Sequence, residues 1–540
     1  MNRYYDSNQF IDIVFRPAPD DIVRNIDTPV PMRDGVSLSA NVFRPNAQGR
    51  YPVILSVSPY GKDQFRQTEA FRPVPGVHLG HYEISDIVAF EAPDPAYWTK
   101  HGYVVVHADT RGQGKSEGDT GPFTKQDQLD FYDFIEWAAA QPWSDGNVGL
   151  NGVSYLAVSQ WIVAQLRPPH LKAMIPWEGW NDFYLRSYFG GIQETVFNDF
   201  LWHLWIVPNH NPKSGYLEPD WLEAQSKHPL RDPYWEAKEC TLENIVTPAL
   251  ICASFSDQGL HTRDTFEGFK RISSEKKWLF NHRRCKWAAY YDSEALEYQR
   301  RFLDHFLKGT DNDMQAVPRV RVEVYENRTQ YKVRESAHWP IDETEYLTLY
   351  LSAENRALRM RPYESERQLS YQSDGSEQAV FDYCFDADTD LVGNMKLKLW
   401  VWAHDADDMD LFVAVKKLDV ALDEVYFYGF GGTNPNDCVA RGWLRVSHRE
   451  LDPIRSTPWQ PVLKHARELK LKPRDIVPVE IEILPSGTTF RKGEWLRLVV
   501  QGAAIKPDAA LLGFPKTVNR GRHSVCTGGQ YDSHLLVPRV

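Results

Sequence analysis

The chain has 540 residues, 42% hydrophobic and 25% charged, which is too many for one core and suits roughly two to four globular domains. Its net charge is −12 with no basic run or stripe, so neither nucleic acid nor an anionic membrane is expected as a partner. Six scattered cysteines without a CxxC pair argue against a disulfide framework and a zinc site.

The opening "MNRYYDSNQF" lacks a basic and then apolar leader pattern, so no secretory signal is expected. No apolar run reaches the roughly 18 residues of a membrane span, and the expected location is the cytoplasm. "YPVILSVSPYG" (51–61) and "GYVVVHADTRG" (102–112) read as buried strands, each closed by glycine. "QDQLDFYDFIEWAAAQP" carries Leu129, Tyr132, Ile135 and Ala139 at helical spacing, and Pro142 stops it. "NVGLNGVS" is a further short strand and "AVSQWIVAQL" a further helix. "TPALICASFSD" (247–257) and "KKWLFNH" (276–282) repeat the strand-then-loop pattern. Such alternation predicts an α/β fold with a mostly parallel sheet covered on both faces. From about Pro176 to Leu242, "PWEGWNDFYLRSYFGGIQETVFNDFLWHLW" is aromatic and helical in tone, which predicts an inserted cap. After about Val317, "YLTLYLS", "MKLKLWVWA", "LFVAVKKLDV", "VEIEIL" and "WLRLVV" are short runs between turn residues, the pattern of an antiparallel sandwich. The expected domains are a core in residues 1–175 and 243–316, a cap in 176–242 and a β-sandwich in 317–540.

Ser154, in "NVGLNGVSYLAVSQW", lies between a strand and a helix. A nucleophile elbow raises its hydroxyl at such a junction, where the helix N-terminus favours a developing anion. Leu156 stands where Gly-x-Ser-x-Gly has its second glycine, so this block alone leaves a catalytic and an ordinary serine equally open. A serine nucleophile needs a base and an orienting carboxylate, in the chain order serine, acid, histidine. Asp257 follows "ALICASFS" and His282 follows "KKWLFN", both in that order and both at strand ends. His261 and Asp264 rank behind them, being further from a strand end in an expected helix. The backbone N–H of Tyr155 is the expected first oxyanion donor. Tyr60, in "SPYGK", is placed for the second, although an ordinary turn tyrosine explains it as well. "DTRGQGKSEG" lacks the first glycine of a phosphate loop, Asp109 standing there, and "AHDADDMDLF" has Met409 and Asp410 where a calcium loop needs a ligand and a glycine. No metal or organic cofactor is expected.

Together with "SPYGKD", "ADTRGQGKSEG", "PWEGWNDFY", "WLFNHRRCKWAAYYDSEALEYQRRFLDHFLKG" and "RGWLRVSHRELD", these residues make the chain resemble the cocaine esterase (CocE/NonD) family of serine hydrolases. Relatives include the X-prolyl dipeptidyl-peptidases and α-amino-acid ester hydrolases. The resemblance implies an α/β-hydrolase core with a helical cap and a C-terminal jelly-roll. It also implies a triad of Ser154, Asp257 and His282 and an oxyanion hole of Tyr60 and Tyr155. The family's serine motif, Gly-x-Ser-Tyr-x-Gly, makes Leu156 no defect. It makes two other residues the departures: Ala157, in place of a glycine, and Arg283, following the histidine where glycine is common. An added methyl at Ala157 is expected to shift the elbow, and Arg283 to lower the histidine's pKa or bind an acidic substrate group.

The expected function is hydrolysis of an ester or amide of a small molecule through an acyl-enzyme on Ser154. The alternatives are an acyltransferase or biosynthetic cyclase using the same triad, and a catalytically silent binding protein. Trp177, Trp180 and Phe183 suit an apolar or aromatic acyl group, and Glu178 and Asp182 a substrate ammonium; all five equally suit the cap's own core. A homo-oligomer formed through the jelly-roll is a further expectation.

Overall fold

The computed structural model describes residues 12–63, 80–121, 123–215, 217, 221–431, 433–505 and 512–540. The N-terminal stretch read above for a leader lies outside the described residues. Eight strands form the main sheet: β1 (Ile22–Pro31), β2 (Ser37–Pro45), β3 (Tyr51–Ser58), β4 (Val104–Asp109), β5 (Ser144–Val153), β6 (Leu171–Trp177), β7 (Ala249–Ser254) and β8 (Lys277–His282). Their order across the sheet is β1-β2-β4-β3-β5-β6-β7-β8. From β4 onward every pairing is parallel, whereas β1 and β2 run antiparallel at one edge. The inner strands are apolar along their whole length because both faces are covered; β4 and β7 have no exposed residue.

Six helices frame the site. They are α1 (Lys125–Ala139), α2 (Tyr155–Ala164), α3 (Phe183–Ser187), α4 (Thr262–Arg271), α5 (Lys286–Tyr290) and α6 (Ser293–Lys308). A reciprocal capping box of Thr124 and Asp127 starts α1. Every residue of α2 is buried, so the helix that follows Ser154 is core on all sides. The parallel order brings the C-terminal ends of β3, β5, β7 and β8 to one edge, where ligands of open α/β sheets bind.

The cap departs from the helical expectation at a short β-hairpin. Gly190 and Gly191, at φ 55° and 93°, form a two-residue turn between the paired segments Tyr188–Phe189 and Ile192–Gln193. Any side chain at Gly190 would come within 2.1 Å of the Trp443 carbonyl oxygen, and Gly190 accepts the Arg445 N–H at 2.8 Å. This turn thus docks the cap on the C-terminal domain.

That domain is antiparallel β. Its spine is the 15-residue strand Thr389–Ala403, paired with Val477–Phe490, Arg522–Thr527 and His534–Arg539. A second ladder joins Gln378–Cys384, Trp495–Gln501, Asp410–Leu418 and Ala440–Arg445. Leu397, Val413, Ile481 and Leu498 belong to its own apolar core. Val320–Tyr325 pairs in parallel with β8, so the main sheet continues into the start of the C-terminal region. Among the described residues, no helix is long and apolar enough to cross a membrane.

Candidate active site

Ser154 links β5 to α2 with φ 58° and ψ −117°. A non-glycine residue in such a conformation costs of order 1–3 kcal/mol and persists only where its surroundings fix it. Here the Ser154 N–H donates to the carbonyls of Trp177 and Glu178 at 3.0 and 3.1 Å, and its own carbonyl accepts the N–H groups of Ala157 and Val158 at 2.9 Å. A Cβ on Gly152 would approach Leu156 Cβ to 2.6 Å, so the glycine before the serine is required by packing. Ala157 fits for a reciprocal reason: a Cβ on Gly179 would lie 2.6 Å from Ala157 Cβ. The methyl expected to disturb the elbow is accommodated by a glycine opposite it.

Tyr60 emerges just past β3, and its hydroxyl hydrogen-bonds to Ser154. Burial, with Glu91 nearby, holds the phenol well above its ordinary pKa, so it is a neutral donor. Tyr155 opens α2, where an N–H has no partner one turn back.

The histidine against Ser154 is His261, not His282. Ser154 Oγ lies 3.1 Å from His261 Nε2. The local reason is a tight turn after β7, in which the Asp257 carbonyl accepts the N–H groups of Leu260, His261 and Thr262. This turn folds His261 back over Asp257, and its ring stacks on Trp180 at 5.1 Å. Burial, then Lys286 and Arg186, hold its pKa well below the ordinary value, so the ring is neutral.

His282 ends β8 and turns across the sheet face toward Trp177, 5.6 Å away between ring centres. Its Nε2 is 3.0 Å from Glu178 Oε1, and its Nδ1 accepts the Arg284 N–H at 3.2 Å. Burial pulls its pKa down to about 3, with Arg284 adding to the effect. Arg283 neither perturbs this histidine nor faces a substrate. Its guanidinium donates to the carbonyls of Tyr428, Cys438 and Val439 and lies over the Phe427 ring.

Asp257 does stand at the end of β7, but its nearest cation is Lys286, with Nζ 3.1 Å from Oδ2; His261 Nε2 is 4.0 Å from the same oxygen. Burial pushes Asp257 up to about 7, against the pull of Lys286 and reinforced by the neighbouring carboxyl of Glu178. Burial likewise raises Glu178 to about 7 and Glu91 to about 8. Lys286 stays charged because these three carboxyl groups outweigh the burial that disfavours its ammonium.

Ser154 opens into a pocket walled by Phe197, Phe200, Leu201, Trp205, Leu260 and Phe430, with Tyr60, Glu91, Lys286 and Thr433 as polar groups. None of the five residues expected to bind substrate lines it. Trp177 and Glu178 pack beneath His282, and Trp180 supports His261. Asp182 caps α3 through the Leu185 N–H and pairs with Arg231 at 2.6 Å. Phe183 packs on Phe123. They are cap and core residues: β6 ends at Trp177 and runs directly into the others, whose contacts are with neighbouring rings and ion partners. Glu91 and Lys286 carried no sequence signal. Among the described residues, no cluster of His, Cys, Asp and Glu is placed to hold a metal ion.

Residues 34–284 match the model of the X-Pro dipeptidyl-peptidase (S15) family, and residues 312–536 match that of the X-Pro dipeptidyl-peptidase C-terminal non-catalytic domain. The crystal structure of a CocE/NonD family hydrolase from Staphylococcus aureus is 45% identical, covers 96% of this chain and 94% of its own, and superposes with a TM-score of 0.90. The chain belongs to the CocE/NonD family of hydrolases. Within this setting, cocaine esterase from Rhodococcus is 28% identical over 61% of this chain and 62% of its own length, just under two thirds. An α-amino acid ester hydrolase, 15% identical with a TM-score of 0.69 over the full length of both chains, shares the fold. The CocE/NonD hydrolase architecture of an α/β core with a C-terminal β domain is therefore that of this protein.

Proposed function

We propose that this protein is a serine hydrolase that cleaves an ester or amide of a small, largely apolar substrate, with Ser154 as nucleophile and His261 as its base. The observation that carries this reading is the strained Ser154, hydrogen-bonded to Tyr60 and 3.1 Å from a neutral imidazole at the end of an apolar cavity. His261 Nε2 takes the Ser154 proton as Oγ attacks the carbonyl, which requires the Nδ1–H tautomer. The Tyr60 hydroxyl and Tyr155 N–H stabilise the oxyanion. His261 returns the proton to the leaving group, and water then releases the acid by the same route. Asp257 balances the imidazolium charge from 4.0 Å, with Lys286 fixing the carboxylate in place. We also read the antiparallel C-terminal domain as a jelly-roll, a reading its long cross-paired strands support.

Ser154→Ala should lower kcat/KM on p-nitrophenyl esters by about a thousandfold or more and abolish fluorophosphonate labelling. His261→Gln should approach that loss, while His282→Gln should keep most of the activity. An inactive His282→Gln beside an active His261→Gln would reverse the two histidine roles. A wild-type chain that resists the fluorophosphonate would favour a silent binding protein.

A further inference from the structure

Across Leu260 from the Ser154 cavity lies a second one, between the cap, the core and the β domain. Arg186, from the last turn of α3, lines it with its side chain 1% exposed. A guanidinium carries five N–H donors and pairs best with two carboxylate oxygens at about 2.7–2.9 Å. Arg186 has far less than that. Among the described residues its Nε has no hydrogen-bond partner. Its two terminal nitrogens reach a single oxygen, Glu194 Oε2, at 3.4 and 3.5 Å. The other Glu194 oxygen accepts the Phe197 and Gly513 N–H groups, which fixes that carboxylate in place. The guanidinium is otherwise enclosed by the rings of Phe197, Trp180 and Phe189, at 4.7, 5.6 and 5.8 Å. A buried cation so poorly matched is costly, and rings that face it are worth most when water is excluded.

The other charges of this cavity are committed. Arg263 donates to Glu482 at 2.9 Å and to Asp264 at 3.3 Å. Asp264 also accepts the N–H groups of Asn181 and Asp182. Trp180, beneath Arg186, is the ring on which His261 stacks, so one indole separates the guanidinium from the imidazole at Ser154.

We propose that Arg186 is an anion subsite that receives a carboxylate carried by one half of the substrate, placing the bond to be cut at Ser154 across Leu260. The choice of that bond rests on the acyl-transfer reading above; the anion site itself does not. A carboxylate here would supply the forked pair that Glu194 leaves unmade.

The test uses the full chain and two matched ester pairs. p-Nitrophenyl pentanoate and mono-p-nitrophenyl glutarate differ by a carboxylate on the acyl half; phenyl acetate and para-acetoxybenzoate differ by one on the leaving half. In at least one pair the wild type should favour the carboxylate ester. Arg186→Gln should then lower kcat/KM for that ester roughly ten- to a hundredfold through KM and leave the neutral ester unchanged. Equal loss within both pairs, or no loss, overturns the proposal. Should that variant fail to fold, Arg186→Lys keeps the charge without the fork and should show a smaller loss of the same sign. A catalysis-free arm separates the two readings: glutarate should raise the Tm of Ser154→Ala, and adding Arg186→Lys should reduce the rise. No glutarate effect sinks the anion site and leaves the serine reading intact. A glutarate effect in a Ser154→Ala protein that still hydrolyses esters sinks the serine reading and supports the site.

Discussion

Glu91 carries a physical signature of its own in the Ser154 cavity. It adopts φ 63°, accepts the Trp287 indole N–H at 3.0 Å on one oxygen and, among the described residues, has no hydrogen-bond partner on the other. Burial lifts its pKa to about 8, opposed by Lys286 and helped by Asp257 and Glu178. A raised folded-state pKa means that the native protein holds this proton after the unfolded chain has released it. The stabilisation is therefore complete below the ordinary glutamate range and is lost as pH rises through about 8. Glu91→Gln keeps the acceptor for Trp287 and removes the ionisation. Its Tm should match or fall below wild type at pH 5 and exceed it at pH 9, as thermal unfolding followed against pH would show. A constant difference across that range would mean that Glu91 does not ionise within it. His261 shows why such residues are hard to read in a sequence. Its position depends on three hydrogen bonds to one carbonyl after β7, which no apolar periodicity encodes. His282, at a clean strand end, had the better local context and the wrong neighbours.

At the scale of elements, the strands were legible because parallel pairing buries both faces and leaves near-continuous apolar runs, as in "VVVHAD" and "ALICAS". The serine elbow was legible because Gly152 and the change of periodicity at Ser154 are both local. What faces each element was not. Gly179 gave no signal, yet it is what allows α2 to carry Ala157 where it does. Gly179→Ala should destabilise the fold, by overpacking costs of about 1–3 kcal/mol, and slow labelling of Ser154. Ala157→Gly alone should be mild, and the double variant should recover only part of the lost stability, because the new methyl also meets the Ala157 carbonyl carbon and the Val158 nitrogen at 2.9 Å. Denaturant midpoints for the four proteins measure this coupling; strict additivity would mean that the two residues do not share the space.

For the whole molecule, the C-terminal domain is part of the candidate site. Phe430 walls the Ser154 cavity, and the Gly431 carbonyl accepts the Lys286 N–H at 2.9 Å. Three residues earlier Arg283 is anchored to three carbonyls of the same domain. Removing a buried donor from such carbonyls costs about 1–3 kcal/mol for each one left unpaired. Arg283→Met should therefore lower Tm by several degrees and reduce fluorophosphonate labelling, although it touches neither Ser154 nor its histidine. Unchanged labelling in a destabilised protein would show that the domain supports folding without shaping the site. Phe430 also follows Ser154 by roughly 280 residues. At elongation rates of about 5–20 residues per second, its wall leaves the ribosome about 14–55 s after the serine is made. A nascent chain thus holds Ser154 well before the chamber can close over it. Full reactivity toward esters should arrive only with the finished polypeptide.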